Sequence, residues 1–326
     1  MSEFKSLIAA ELHDYLEIRK MTFEAVTVRV NRHTLRDFDN YLAEHKTAEK
    51  VITEELINSW IQRLLTKNHS RTVSGKVSIL RCFLRYLSYC GVPVFMPECP
   101  KWHEDYIPYI FSDEEMSKIF QCLDEARYNS NLLENYQLAM LIRLLYGCGL
   151  RFGETLQLVR SDVDFVRETL LLRKPKNKKQ RIVPMSHSLS TILMQYCVAM
   201  GFYEDPDAFL FPGKTAHSPA DLMVMSRRFR KVLVASGIYV QPDAPGRRGQ
   251  CIHCLRHLFA IKSFMQAEKS GRTTTDSIPY LSVYLGHFDM DGTEKYLKFS
   301  SDIFPEYTEM FETYSKGVFS VLGGAK

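Results

Sequence analysis

Four short stretches of this 326-residue chain contain the side-chain types that bind and attack phosphate groups. Arg151 follows two glycines, and residues 174–179 are rich in lysine. Residues 253–257 read His-Cys-Leu-Arg-His, and residues 285–287 read Leu-Gly-His, with Tyr296 nine positions beyond that histidine. Arginine holds two phosphate oxygens with its planar fork, and tyrosine offers a hydroxyl. Most of the 17 tyrosines must be ordinary packing residues, so the order of the four stretches matters more than any single one.

The charge of the chain is informative locally rather than as a total. A net charge of +4, from 42 Lys+Arg against 38 Asp+Glu, is a weak indication of an anionic partner. A local basic cluster can bind phosphate even on a nearly neutral chain, although a single cluster is as often a solvated face. The clusters are Lys174, Lys176, Lys178, Lys179 and Arg181, and then Arg227, Arg228, Arg230 and Lys231.

Composition predicts a globular, cytoplasmic protein. Hydrophobic residues make up 45% of the chain, no stretch approaches the roughly 18 apolar residues of a membrane span, and no signal peptide is evident. The 8 cysteines are therefore expected to be reduced. Cys251 and Cys254 bracket His253 with metal-like spacing, but a zinc site would need a second ligand pair at suitable spacing. We expect no metal and no other cofactor.

Residues 8–90 predict four helices, because apolar residues recur there at helical spacing. Thr53 is expected to cap the third helix, and residues 70–89 to form the fourth. The glycine and prolines of residues 91–108 predict a linker. The expected inward residues of the first two helices are Leu12, Tyr15, Leu16, Ile18, Val30, Leu35, Phe38, Tyr41 and Leu42. The fourth helix carries a basic outer side, which is a candidate DNA arm or a plain solvated surface: Arg71, Lys76, Arg81 and Arg85.

The second half of the chain mixes helices with a small sheet. Ser112 begins a capping box, and an apolar helix pattern over residues 133–160 is broken at residues 147–149. A small antiparallel sheet is expected, with a hairpin that carries the lysines. Its strands are residues 163–165, 170–172 and 181–184. The other expected elements are helices over 188–200, 222–236 and 253–266, a polar loop over 268–277, and an apolar segment over 280–285 that Gly286 ends.

The four stretches at Arg151, at residues 174–179, at residues 253–257 and at residues 285–296, taken in their order along the chain, resemble the tyrosine recombinase (phage integrase) family. Residues 33–36 and 78–87 also resemble helices of its core-binding domain, so the resemblance covers nearly the whole chain. It implies a mainly α fold with a small antiparallel β-sheet, in which a helical core-binding domain and a mixed α/β catalytic domain form a C-shaped clamp on DNA. The expected boundaries are 1–92 for the core-binding domain, 93–108 for the linker, 109–302 for the catalytic domain and 303–326 for a tail.

The resemblance also implies roles for single residues. The expected catalytic set is Arg151, Lys176, His253, Arg256, His287 and Tyr296. Glu154 is expected to hold Arg151 or a neighbouring element in place, and His257 to pack or cap rather than to catalyse. The expected DNA contacts are Arg71, Lys76, Arg81, Arg85, Lys174, Lys178, Lys179, Arg227, Arg228 and Arg230.

The expected reaction is attack by Tyr296 on a DNA phosphodiester. Arginines offset the negative charge that grows on the non-bridging oxygens, and one such donor is worth roughly 3–4 kcal/mol. His253 would take the tyrosine proton, His287 would be a second donor to the phosphate, and Lys176 would protonate the leaving 5′ oxygen. The product is a 3′-phosphotyrosyl link with a free 5′ hydroxyl. Because this link conserves the bond energy, rejoining needs no ATP.

Some features depart from the family pattern. The spacing between Arg256 and His287 is longer than usual, which predicts an insertion at residues 267–277. Cys254 replaces a residue that is usually polar, and residues 291–292 replace a more usual Ser/Thr pair. Within the hairpin, Lys174, Lys178 and Lys179 compete with Lys176 for the role of acid.

The expected function is site-specific DNA recombination in the bacterial cytoplasm, such as integration or excision of a mobile element. The expected partners are duplex DNA with a specific recombination site and further copies of the chain, which form a tetramer on that DNA. The apolar tail is expected to dock on a neighbouring subunit. Two alternatives stay open: DNA relaxation of the type IB topoisomerase kind, and a DNA-binding regulator of the same fold without catalysis.

Overall fold

The computed structural model describes residues 4–45, 49–102, 108–125, 132–173, 180–241 and 249–286. It divides into two compact units, Met1–Asp105 and Tyr106–Lys326. Three of the expected catalytic residues, Lys176, His287 and Tyr296, lie outside the described residues. The same holds for the hairpin lysines Lys174, Lys178 and Lys179 and for the tail over residues 303–326.

The first unit is a bundle of four helices, as the apolar spacing predicts. The helices are α1 Ala9–Thr22, α2 Ala25–Glu44, α3 Glu54–Leu65 and α4 Ser70–Tyr89. Thr53 caps α3 by accepting a hydrogen bond from the Leu56 backbone N–H at 3.4 Å. The sequence also predicts that Val73, Val77, Leu80, Phe83, Leu84 and Leu87 of α4 face inward, and all six are buried. Phe38 packs edge-on against Trp60 in the core.

The prediction that Ile18 and Val30 face inward in this bundle is wrong. Ile18 and Val30 are about half exposed, at 50% and 51%. The buried side of α1 is Leu12, Tyr15 and Leu16, and Ile18 lies roughly a third of a turn away from it. On α2 the buried stripe includes Asn31 and a threonine, so it is partly polar and the apolar pattern alone misplaces it.

The segment expected to open the linker belongs to the first unit. Ile52 and Val94 form a parallel bridge, in which the Ile52 N–H donates to Pro93 O at 3.0 Å and the Phe95 N–H donates to Ile52 O at 2.8 Å. Pro97 O accepts a hydrogen bond from Arg81 Nη1 at 2.7 Å. The boundary expected at residue 92 therefore falls inside this unit, because the helix ends at Tyr89 while the residues after it still pack on the bundle.

The second unit packs helices around a small sheet. Its helices are α5 Asp113–Asp124, α6 Leu132–Cys148, α7 Phe152–Thr155, α8 His187–Ala199, α9 Leu222–Ala235, α10 Cys254–Lys269 and α11 Thr274–Leu285. Its strands are β1 Val163–Asp164, β2 Thr169–Leu172 and β3 Arg181–Pro184, paired antiparallel in the order β1-β2-β3. This confirms the predicted mainly α fold with a small antiparallel sheet. The apolar helix α6 packs against both α8 and α10 near the centre of the core.

The polar stretch over residues 268–277 is not the loop that its composition predicts. Helix α10 continues to Lys269, and α11 begins at Thr274. Thr273 caps α11, because its hydroxyl accepts from the Asp276 N–H at 3.1 Å. Polar residues are common at helix ends, where side chains satisfy backbone groups that have no partner inside the helix. None of the helices in the described ranges is long and apolar enough to cross a membrane.

Candidate active site

Arg151 lies at the turn between α6 and α7, where the chain changes direction at Gly149. Gly149 has φ +58°, a left-handed conformation that glycine adopts most readily. The Arg151 N–H donates to Glu154 Oε1 at 2.7 Å, and its Nη2 donates to Gly286 O at 2.6 Å. Its buried Nη1 lies 3.6 Å from Glu154 Oε2 but has no hydrogen-bond acceptor among the described residues. This nitrogen therefore has hydrogens available for a bound anion.

Arg256 is held at the ends of two helices. It lies in the first turn of α10 and is 1% exposed. Its Nη1 donates to Gly149 O at 2.7 Å, and its Nη2 donates to Leu285 O at 2.8 Å. The last carbonyls of a helix have no partner inside it and carry partial negative charge, so these two helix ends favour a cation.

Arg181 is a third arginine at the same place. Its Nη2 donates to Glu154 Oε1 at 2.5 Å and its Nη1 to Glu154 Oε2 at 3.2 Å. Its Nε donates to Tyr284 O at 3.0 Å. The three consecutive carbonyls at residues 284, 285 and 286 therefore each accept from a different arginine. This cluster, defined by Arg151, Arg181, Arg256 and Glu154, is called the arginine cluster below.

Glu154 balances part of the positive charge of the arginine cluster. Its side chain is only 6% exposed. Burial is the largest single influence and raises the pKa of this carboxyl. Hydrogen bonds and positive charge, first from Arg181 and then from Arg151, lower the pKa by more than burial raises it. The net result is a pKa below the ordinary value of 4.5, so Glu154 is ionised at neutral pH.

His253 and His257 lie at the start of α10, on the same helix as Arg256. His253 is exposed and immediately precedes the helix, whereas His257 is partly buried in the next turn. Their rings are 4.9 Å apart and nearly perpendicular. His253 therefore has access to solvent one helical turn before Arg256, which is the position expected of a group that exchanges protons with a bound substrate.

Cys251 and Cys254 are thiols whose sulfurs are 3.6 Å apart. The hydrogen bond with Cys251, followed by burial, raises the pKa of the Cys254 thiol well above its ordinary value. Within the described residues there is no group of three or more His, Cys, Asp or Glu side chains that could hold a metal ion.

The structure thus brings together Arg151, Arg256 and Glu154, with His253 nearby on α10. Gly286, whose carbonyl accepts from Arg151, immediately precedes His287 in the sequence, and the expected residues His287 and Tyr296 lie outside the described residues. Sequence reasoning missed the partners of Arg181 because it grouped that residue with the neighbouring lysines. Its place at the start of the strand, rather than in the lysine-rich tip, was the available signal.

The expected DNA contacts differ in their surroundings. On α4, Arg71 and Arg85 are exposed, whereas Lys76 lies 3.7 Å from Asp37 and Arg81 is bonded to Pro97 O. On α9, Arg227 and Arg230 are exposed. Arg228 instead turns towards α6, where it pairs with Glu134 at 2.7 Å and Gln137 at 2.9 Å. These two contacts favour a role for Arg228 in joining α9 to α6 rather than in binding DNA.

Replacing Gly149 with alanine is expected to destabilise the second unit. A Cβ there would lie 2.2 Å from Phe259 Cδ1, and the left-handed backbone alone costs about 1–3 kcal/mol for a residue with a side chain. The change would also move the carbonyl that Arg256 holds. Chemical denaturation should show the loss. Gly75→Ala is the matched control, because a Cβ at that position would meet nothing within 4 Å. The alanine should stabilise α4 by about 0.5–1 kcal/mol. Equal stabilities for the two variants would contradict this account.

Replacing Glu154 with alanine is expected to cost about 3–5 kcal/mol of unfolding free energy at pH 7, because it leaves buried arginine charge uncompensated. A carboxyl with a lowered folded pKa stabilises the fold above its ordinary pKa, and this contribution is lost as the pH falls through the folded value. The difference between wild type and variant should therefore shrink in acid. Urea unfolding across pH measures it. Asp124, which is 56% exposed and pairs with Arg143, gives the control: Asp124→Ala should cost at most about 1 kcal/mol. A pH-independent loss for Glu154→Ala would refute the ionic account.

Comparisons with known proteins identify the family of the chain. Residues 110–300, more than half of the chain, match the model of the phage integrase family. A Sinorhizobium fredii protein named as an integrase/recombinase (y4rB) is 27% identical and aligns over 96% of this chain and 98% of its own length. The tyrosine recombinase XerD of Rickettsia conorii is 26% identical over 81% of this chain and 85% of its own.

Solved structures share the fold. A lambda integrase dimer bound to a COC′ core site superimposes with a TM-score of 0.66 at 17% identity, over 90% of this chain and 78% of that one. XerH bound to palindromic difH gives 0.67 at 16% identity, over 92% and 84%. Family model, relatives and fold agree with the order of motifs in the sequence. The chain therefore belongs to the phage integrase family of tyrosine recombinases and is a DNA-binding, site-specific recombinase.

Proposed function

We propose that this recombinase cuts and rejoins DNA through a 3′-phosphotyrosyl link to Tyr296, without a metal ion or ATP. The observation that carries the proposal is the pair of arginines held on the carbonyls of residues 285 and 286, directly before the segment with the expected nucleophile. Two fixed guanidinium groups at one point can bind the non-bridging oxygens of a single phosphate. This preorganisation is usually the largest catalytic contribution in phosphate chemistry.

Arg151 keeps hydrogens for the substrate, and Arg256 is fixed beside it. A guanidinium has five N–H groups, and the bonds to Gly149 O and Leu285 O use two of those on Arg256. Arg151 uses one on Gly286 O, while Nη1 remains without an acceptor in the described part of the chain. The carbonyls therefore orient the two forks, and Nη1 of Arg151 is left for phosphate.

The remaining steps are proton transfers. In this proposal exposed His253 takes the proton of the Tyr296 hydroxyl, and Lys176 gives one to the departing 5′ oxygen. His287 donates a second hydrogen bond to the phosphate. The tyrosine oxygen bonds to phosphorus as the bond to the 5′ oxygen breaks, and reversal by a 5′ hydroxyl from a second duplex exchanges the strands.

The biological setting is proposed to be the movement of a mobile element, by integration or excision. The support is the family match and the Sinorhizobium fredii relative, which aligns over nearly the whole length of both chains. The XerD and XerC relatives are 23–27% identical to this chain. Percentage identity therefore does not separate movement of a mobile element from the roles of those relatives. Integration of DNA flanked by the gene's own neighbouring sequences, assayed in cells, tests it.

We further propose that the recombinase works as a tetramer on two specific duplex sites. The support is fold similarity to a lambda integrase tetramer bound to a Holliday junction, with a TM-score of 0.65. The tail over residues 303–326 is proposed to dock on a neighbouring subunit. A chain that ends at Ser300 should then bind a single site but fail to bring two together. Unchanged pairing of sites by that shortened chain would refute the docking.

The experiment that tests the chemistry uses site DNA with a nick near the exchange point. A short fragment then diffuses away after cleavage, and the covalent product accumulates. Incubation in EDTA followed by a denaturing gel should show a protein–DNA adduct. An adduct that needs added divalent metal would overturn the metal-free mechanism. Specific binding without any adduct on the correct site would favour a protein that binds DNA without cutting it.

Arg85 on the exposed side of α4 is expected to contact DNA phosphate. Arg85→Gln should weaken binding evenly across sequences and reduce the slope of log affinity against log salt by about 1. The control is Arg63→Gln on α3, whose guanidinium pairs with Glu44 at 2.5 Å. Titrations at several salt concentrations measure both slopes. If the two variants have identical salt slopes, Arg85 does not contact DNA phosphate.

A further inference from the structure

We propose that Arg181 is a positioning residue that fixes the lysine-bearing hairpin relative to the bound phosphate. The assignment rests on the proposed function, because it requires a lysine of residues 174–179 to protonate the leaving oxygen. Arg181 itself would not touch the substrate. It acts by fastening one end of the hairpin to the same helix end that Arg151 and Arg256 hold.

The first observation is where Arg181 lies. It is the first residue of β3 and pairs with Leu172, the last residue of β2. The two strands are thus joined at this pair, and residues 173–180 connect them. Strand pairing fixes the register of the hairpin within the sheet, but by itself it does not fix the distance from the hairpin to α11. The Arg181 side chain supplies that link.

The second observation is that every nitrogen of its guanidinium has a protein acceptor. Nε donates to Tyr284 O, while Nη1 and Nη2 donate to the two carboxylate oxygens of Glu154. The side chain is 12% exposed, against 26% for Arg151. All three nitrogens of Arg181 therefore have protein acceptors, whereas Arg151 keeps a nitrogen without one in the described residues. This contrast assigns phosphate binding to Arg151 and a structural link to Arg181.

The third observation is that the chain leaves room for this contact. Gly286 has φ +66° and ends α11, and a Cβ there would lie 2.8 Å from Arg181 Nη1. A residue with a side chain would displace the guanidinium from the helix end. Arg181 thus connects three parts of the site: the hairpin base, the Glu154 carboxylate beside Arg151, and the turn that leads to residue 287.

The consequence is specific to one chemical step. Without Arg181, Arg151 and Arg256 still hold the carbonyls of residues 286 and 285, so phosphate binding should survive. The hairpin would lose its fixed position relative to that phosphate, and proton transfer from its lysine would become slow. General acid catalysis contributes about 10²–10⁴-fold, so a misplaced acid should cost a large part of that factor.

The test compares two leaving groups in single-turnover cleavage of nicked DNA. One substrate has the ordinary 5′ oxygen, and the other has sulfur at that bridging position. A thiolate leaves without being protonated, since thiols ionise near pH 8.5. Arg181→Ala is expected to slow cleavage of the oxygen substrate about 100-fold. On the sulfur substrate it should stay within about 5-fold of wild type, with DNA affinity unchanged on both, because that substrate does not need the acid.

Two further variants make the outcome decisive. Arg173→Ala removes an arginine from the other side of the hairpin base, where it pairs with Asp162 and contacts Ser161 instead of α11, and it should cleave both substrates at near wild-type rates. Arg181→Lys keeps the charge but cannot reach both Glu154 and Tyr284 O, so it should show a smaller defect that sulfur also relieves. If Arg181→Ala does not fold, the lysine variant decides the question.

The results separate this assignment from the function on which it rests. An equal defect of the Arg181 variants on both substrates, or no defect on either, would overturn the positioning role while wild type still forms its adduct. A wild-type protein that forms no adduct with either substrate would overturn the proposed function and the assignment together. If the sulfur substrate restores the cleavage rate of the Arg181 variants, as it should for Lys176→Ala, the positioning role is established.

Discussion

Tyr296→Phe is expected to abolish the covalent protein–DNA adduct and to leave specific DNA binding within a few-fold of wild type. Phenylalanine keeps the ring and lacks only the oxygen that would bond to phosphorus, so no link can form. The expectation rests on sequence position, because Tyr296 lies outside the described residues, ten positions after Gly286 at the arginine cluster. Nicked site DNA and a denaturing gel measure the adduct, and a gel-shift assay measures binding.

Neighbouring tyrosines provide the controls for this experiment. Tyr284 is buried and stacks on Phe259, and burial raises the pKa of its phenol far above the ordinary value of 10.0. Its hydroxyl is therefore a poor source of phenolate. Tyr280 on α11 is 70% exposed and has no role in the proposed site. Tyr280→Phe should form the adduct normally. An adduct that persists in Tyr296→Phe would move the nucleophile elsewhere, and peptide mapping of the adduct would locate it.

Sequence patterns predicted those elements whose cause is local. Helix α4 has the bounds expected from the sequence, Ser70–Tyr89, because one apolar stripe runs through its whole length. The hairpin base and the capping box at Ser112 also follow from neighbouring residues. The sequence-based predictions were wrong where a polar side chain is buried, as at Asn31. They were also wrong at residues 268–277, where a run of polar residues contains the end of one helix and the capped start of the next.

Within the site, sequence order supplied the residue types but not their partners. Arg151 and Glu154 are three residues apart, so their proximity could be anticipated. The bonds from Arg181 to Glu154 and to Tyr284 O span 27 and 103 residues. No periodicity carries such information, since it depends on how α11 packs beside the sheet. The convergence of three arginines on three consecutive carbonyls is therefore a structural result.

Arg151→Lys is the second large effect we expect, with single-turnover cleavage slowed about 10²–10³-fold, the cost of removing one preorganised donor. Lysine offers a single ammonium on a flexible stem. It can reach either Gly286 O or the phosphate position, but it cannot orient itself on the carbonyl while holding two phosphate oxygens. The charge is retained, so DNA affinity should fall by less than about tenfold, because the phosphate attraction is mainly electrostatic.

The comparison of rate with affinity distinguishes catalysis from binding at this residue. An interaction made only in the transition state lowers the rate at saturating DNA, whereas one made equally in the ground state lowers affinity alone. The control is Arg143→Lys on α6, which retains an ion pair with Asp124 and should cleave normally. If Arg151→Lys lost affinity while its rate at saturation stayed normal, Arg151 would be a binding residue. The larger catalytic contribution at the arginine cluster would then have to come from Arg256.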